Sequence, residues 1–227
     1  MLAFILRRIA QAVLVLLTVA LIAFALFRFV GDPTQQIASQ DTSLEERLAM
    51  RQALGLDDSV MVQFGRFVVR AVQFDFGISY QSRQPVSKLI GERFPATMEL
   101  ALTSALFALL AGIPMGVYAG LKPRSWLAQV FQTISLIGVS LPTFLIGILL
   151  IFTFSVTLGL LPSFGRQGVV NLGWWTTSFL TWEGLRSLVL PSITLGLFQM
   201  TLIMRLVRSE MMEVLRTDFI KFAKARG

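Results

Sequence analysis

MELALTSALFALLAGIPMGVYAGL, Met98–Leu121, holds a single charged residue, Glu99, in an otherwise apolar run. At about 1.5 Å per residue such a helix rises about 36 Å, enough to cross a hydrocarbon core of about 30 Å. Pro95 and Thr97 open the span in this reading, which places Glu99 in its first turn. There the positive end of the helix dipole tolerates an acid. A proton relay is the sharper alternative for an intramembrane carboxylate. Gly112, Gly116 and Gly120 fall on one face as GxxxGxxxG, a stripe on which another helix is expected to pack closely. Lys122 and Arg124 follow and mark a cytoplasmic loop.

The same pattern recurs on both sides. Arg7 and Arg8 precede the run Ala12–Phe27, whose one polar residue is Thr18. It is too long for a cleaved signal, and Arg28, Gly31, Asp32 and Pro33 follow it instead of a small-residue cleavage site. It reads as an uncleaved first span. Trp126–Leu160, about 35 residues, exceeds one simple span, and Pro142 divides it. One tilted or kinked span is preferred to two half-spans, because no polar loop lies at Leu141-Pro142. The last span covers about 187–204, and Arg205 and Arg208 stop it. Four spans are therefore expected, at about 1–30, 98–121, 127–160 and 187–204, with both ends in the cytoplasm. The segments assigned to the cytoplasm carry ten basic and three acidic residues, and those assigned outside carry nine of each. That asymmetry sets the orientation.

Composition excludes much else. With 55% hydrophobic and 15% charged residues the chain is a membrane protein. The net charge of +7 gathers beside spans, which argues against nucleic acid as a partner. No Cys and no His occur, so disulfides, thiol chemistry, His-based metal sites and Ser-His mechanisms are excluded. No Walker A pattern is present, so ATP chemistry would belong to a partner.

Residues 31–95 read as a small helical external domain. Ser43 with Glu46 makes a capping box, Gly55 a stop, and Val60, Phe64, Phe67, Val68 and Ala71 a helical face. A short helix is expected from Pro85 to Arg93. A second external loop, 161–186, contains Trp174, Trp175 and Trp182, which suit an interfacial belt.

After Met204 the chain turns basic and amphipathic. Thr217 is placed to cap a helix that starts at Asp218. Phe219, Phe222, Ala223 and Arg226 share a sector, Lys221 and Lys224 lie away from it, and Gly227 ends it. On physical grounds this helix lies on lipid or docks on a partner.

The tail, DFIKFAKARG at Asp218–Gly227, resembles the EAA-type coupling segment of permease subunits of bacterial ABC importers, in the variant of the dipeptide, oligopeptide and nickel branch. Against the general Glu-Ala-Ala…Gly pattern only Ala223 and Gly227 match. Other fragments extend the resemblance along the chain: FVGDP (Phe29–Pro33), ALGLDD (Ala53–Asp58), FDFGISY (Phe74–Tyr80), ERFPATMELAL (Glu92–Leu102), GVSLPTFLIGILL (Gly138–Leu150), LGLLPSFG (Leu158–Gly165) and LVLPSITLG (Leu188–Gly196). Val30 departs from the proline usual in the branch.

The resemblance implies an all-α membrane protein with the type I ABC importer permease fold. It also implies four of six spans, because members continue past the glycine into two more; this sequence reads as a fragment that would not form a complete half-pore alone. Expected domains are 1–30, a periplasmic domain 31–95, and a transmembrane domain 96–227 with a coupling helix at about 217–227. The implied function is a non-catalytic permease of an ATP-driven importer for peptides or a related small solute, in the bacterial inner membrane. The implied partners are a homologous second permease, two ATPase subunits, an extracytoplasmic substrate-binding protein and the lipid bilayer. ATP and Mg²⁺ would sit on the ATPase subunits, with no cofactor on this chain. Asp218, Phe219, Ile220, Lys221, Phe222, Ala223, Lys224, Arg226 and Gly227 would contact the ATPase.

Gln132, Ser135, Ser140, Thr143, Gln199 and Thr201 are the candidates for lining the path, with interhelical hydrogen bonding as the plainer role. A secondary transporter would need ionisable residues within the spans, and only Glu99 and Arg28 come near. A membrane enzyme lacks His, Cys and paired carboxylates in the spans.

Overall fold

The computed structural model describes residues 1–29, 45, 52, 56–79 and 81–226. The capping box at Ser43, the stop at Gly55 and the terminal Gly227 lie outside the described residues. The chain divides into two compact units, Met1–Glu92 and Arg93–Gly227.

In the first unit, α1 (Leu2–Phe29) is apolar all round between Ala12 and Phe27 apart from Thr18, and none of its most hydrophobic window is buried. That is the surface expected of a helix solvated by lipid tails or by other membrane helices. The amphipathic α2 (Val60–Val72) turns Phe64 and Phe67 onto Phe24 of α1, with ring centroids 5.6 and 5.9 Å apart. At the start of α2, Gln63 donates to the carbonyls of Leu56 and Asp58, and Arg66 pairs with Asp58 at 2.7 Å. A tight turn then pairs Ile78 with Pro85 and leads into α3.

Helix α3 (Val86–Leu121) has 36 residues and contains Pro95 and Pro114. The sequence suggested a separate helix over 85–93 and a span starting at Pro95; the structure runs the two together. Proline opens a helix readily, yet within spans it is also carried inside one, where neighbouring helices and hydroxyl side chains compensate. Thr97 and Thr103 each donate to the carbonyl four residues back. Glu99 therefore lies well inside α3 and not in its first turn, so the helix dipole is not what accommodates it.

In the second unit, α4 (Trp126–Ser140) starts at Ser125, whose hydroxyl accepts the Ala128 N–H at 3.1 Å. Leu141 is extended, as the residue before a proline tends to be. Beyond Pro142 come α5 (Thr143–Leu150) and a π-helical segment, Ile151–Thr157. The chain bends by 113° at this break. A proline kink within one helix was expected; a fully extended Leu141 breaks the helix instead and makes a broken span or a re-entrant segment. Helix α6 (Trp182–Val214) begins at Thr181, whose hydroxyl accepts the Gly184 N–H, and it continues ten residues past Met204. Among the described residues three helices are thus long and apolar enough to cross a membrane, and a fourth crossing follows if the bent pair counts as one. Helix α7 (Asp218–Ala225) closes the described chain.

The glycine stripe of α3 seats α6. A Cβ on Gly112 would stand 2.9 Å from the Met200 carbonyl, on Gly116 2.7 Å from that of Met204, and on Gly120 2.6 Å from Met211 Cβ. Gly196 of α6 returns the contact on Ser104 and Phe107 of α3. Thr103 and Ser192 share a hydrogen bond of 2.7 Å across the same seam. Gly138 of α4 and Gly147 of α5 lie against Thr201 and Thr194 of α6. In lipid, helices associate by this close backbone approach, since burying apolar area gains little there.

Among the described residues the chain also forms a short hairpin with two residues in each strand, β1 (Val170–Asn171) with β2 (Thr176–Thr177), in the loop before α6. It pairs Val170 with Thr177 and Asn171 with Thr176.

Candidate functional site

Two places concentrate polar chemistry: the tail helix and a buried charge cluster at the loop before α6.

At the tail, α6 ends at Val214, a short turn follows, and α7 begins at Asp218. Thr217 sits at the N-cap position but does not cap; its hydroxyl donates to the Val214 carbonyl at 2.7 Å. This bond ties the turn to α6 and leaves the first α7 N–H groups to solvent or a partner. Phe219 and Phe222 are 77% and 59% exposed, and Ala223 is exposed beside them. Ile220 is half-buried. Lys221 pairs with Asp218 at 2.8 Å on the surface, and the Arg226 guanidinium lies 4.6 Å over the Phe222 ring. The short helix thus carries an uncovered aromatic ridge between charged flanks.

The path candidates separate. Ser135 and Thr201 are buried between α4 and α6; Ser135 lies 3.4 Å from Arg205 Nε, and Thr201 donates to the Leu197 carbonyl. Their contacts are interhelical or within α6. Gln132 is half-buried, while Ser140, Thr143 and Gln199 are exposed. Burial thus sets Ser135 and Thr201 apart from the other four.

The charge cluster is what local sequence reading missed. Glu99 is 1% exposed. Its Oε2 accepts from Arg166 Nη2 at 2.7 Å, and its Oε1 accepts the Ser178 N–H at 2.9 Å. Arg166 also donates from Nε to Ser178 Oγ, from Nη1 to Thr176 Oγ1, and from Nη2 to the Thr176 carbonyl. Both carboxylate oxygens are engaged in fixed bonds, which suits an anchor better than a relay. One signal was available: a lone acid in an apolar run calls for a cation, and Arg166 in the loop and Arg186 at the start of α6 are the candidates. Arg186 instead donates to the Leu160 carbonyl.

The tryptophans also divide. Trp175 packs edge-on against Phe94 at 6.2 Å, whereas Trp174 and Trp182 are 87% and 73% exposed. Among the described residues no group of three or more acids is placed to hold a metal ion.

Long apolar helices seated on glycines, with a basic amphipathic tail, define a polytopic helical membrane protein. Residues 112–227 match the family model described as binding-protein-dependent transport system inner membrane component, and residues 1–101 match a model of the N-terminal part of such membrane components. The chain belongs to this family, and it is an ABC importer permease of the dipeptide and oligopeptide type. It is 41% identical over 230 residues to a Brucella suis protein that carries the name peptide transport system permease, covering 100% of this chain and 70% of the relative. It is 35% identical over 228 residues to the glutathione transport system permease of Salmonella paratyphi A, covering 100% and 69%. Identity to the dipeptide transport system permease of Alkalihalophilus pseudofirmus is 31% over 240 residues, covering 100% and 72%.

Proposed function

We propose that this chain contributes to one half of the transmembrane path of an ATP-driven importer for peptides or a related small solute, and that α7 couples it to a partner ATPase. The observation that carries the coupling is the uncovered Phe219–Phe222–Ala223 face, joined through one short turn to the end of α6. Helix α6 seats on α3, so a push on α7 acts on packed helices and not on a slack tether. ATP and Mg²⁺ belong to two ATPase subunits, and a second permease and an extracytoplasmic binding protein complete the assembly. The relatives' names support peptides, dipeptides or glutathione as the solute class.

The basic tail supports a cytoplasmic C-terminus, and Arg7 with Arg8 supports a cytoplasmic N-terminus. That arrangement counts α4 and α5 as one broken span, because a re-entrant pair would put the basic tail outside. The loop over residues 158–181 then faces outward, as does the segment between α1 and α3.

The test is uptake by the complete transporter in proteoliposomes. Labelled di- and tripeptides should enter only with ATP, the ATPase subunits and the binding protein, and ionophores that collapse ion gradients should leave the rate within about twofold. Gradient-driven uptake without the ATPase would overturn the reading.

A further inference from the structure

The loop before α6 is long for a connection and turns through left-handed glycines at 165, 168 and 173. At Gly168, with φ +57°, a side chain would also strike Thr181, whose hydroxyl donates to the Gly168 carbonyl at 2.6 Å. Two bonds tie the loop to Glu99, one from the Arg166 guanidinium and one from the Ser178 N–H, and Arg166 holds the hairpin beside it. Five hydrogen bonds join Arg166, Thr176, Ser178 and this carboxylate, and Ser178 is fully buried. Glu99 belongs to α3, the helix whose glycines seat α6, and α6 leads to the tail.

A buried ion pair is a poor device for stability alone, since desolvation offsets much of the attraction and apolar side chains of equal volume serve as well. What directed bonds add is a single permitted arrangement. We propose that Glu99 and Arg166 are positioning residues for transport. They latch the loop over 158–181 to α3, so that loop, α3 and α6 move as one body and contact made at the loop reaches the tail. This rests on the importer reading and on the outward placement of the loop.

The chain has no cysteine, so spin labels can be placed singly. Phe164 and Leu102 are 85% and 58% exposed, the first in the loop and the second on α3. In the complete transporter, labels at Phe164→Cys and Leu102→Cys should give one narrow distance distribution. Glu99→Gln or Arg166→Gln should at least double its width and lower binding-protein-stimulated uptake at least tenfold, with ATPase activity in the absence of binding protein within twofold. The pair Glu99→Met with Arg166→Met removes both charges and restores any lost membrane abundance, yet should leave the distances broad and uptake low. A narrow distribution in Glu99→Gln, or rescue of order and uptake by the methionine pair, would overturn the latch. Where the unmodified transporter moves no solute on ATP, the importer reading fails instead, and the distances still decide the latch.

Discussion

Aspartate at Ala223 is expected to lower ATP-driven uptake by the complete transporter at least thirtyfold without lowering the amount of permease in the membrane. The two halves of that result have separate causes. Ala223 lies exposed beside Phe222, so the substitution disturbs no core; surface changes away from special features usually stay within about 0.5 kcal/mol. If the same face is buried in a groove of the ATPase, a carboxylate there is desolvated without a partner. Losses at such contact centres are about 2–4 kcal/mol, which is about thirtyfold or more in affinity. Transport-coupled ATP hydrolysis should fall with uptake. Lys88→Gln is the control: it removes an exposed surface pair with Glu92 far along the chain from α7, and pairs of that kind contribute about 1 kcal/mol or less. Normal uptake by the Ala223→Asp transporter would mean that α7 does not dock.

Leucine at Gly116 is expected to destabilise the membrane domain by several kcal/mol, because overpacking an already close seam costs about 1–3 kcal/mol or more. The first added carbon would stand 2.7 Å from the Met204 carbonyl and 2.8 Å from Val207 Cβ, and backbone cannot yield as a flexible side-chain tip does. α3 and α6 would have to separate, taking the Thr103–Ser192 bond with them. The measurement is the fraction of detergent-solubilised permease that stays monodisperse after heating. A fall of several degrees in the midpoint is expected for Gly116→Leu. Gly65→Ala in α2, with nothing within 4 Å of the added carbon, should leave it unchanged or slightly higher. Equal midpoints for Gly116→Leu and the parent would show that the glycine seam does not hold the helices together.

The long helices were legible in the sequence because apolar length and flanking charge are local properties. The glycine stripe was legible for the same reason: a spacing of four residues places Gly112, Gly116 and Gly120 on one face whatever the partner is. Helix boundaries were less so. Pro95 reads as a start because proline suits the first turn, yet the helix runs through it from Val86, and tertiary context overrode the local preference. The break at Pro142 was visible, but its angle of 113° depends on how α5 packs on α6 through Gly147 and Thr194, which no window of sequence contains. Glu99 and Arg166 are 67 positions apart, so their pairing was beyond any periodicity. Thr217 shows the reverse error: the residue type and position fit a cap, while its hydroxyl is turned to donate to the Val214 carbonyl and accepts no α7 N–H.

The most direct test of the coupling reading is site-specific crosslinking from the tail. Cysteines introduced one at a time at Phe219, Lys221, Phe222 and Ala223 of the otherwise cysteine-free chain would carry a short photoactivatable crosslinker in the complete transporter. Positions 219, 222 and 223 are expected to capture an ATPase subunit strongly, and position 221, on the opposite side of α7, weakly. Capture of lipid alone from all four positions, or of the ATPase equally from all four, would contradict docking of α7 through its aromatic face.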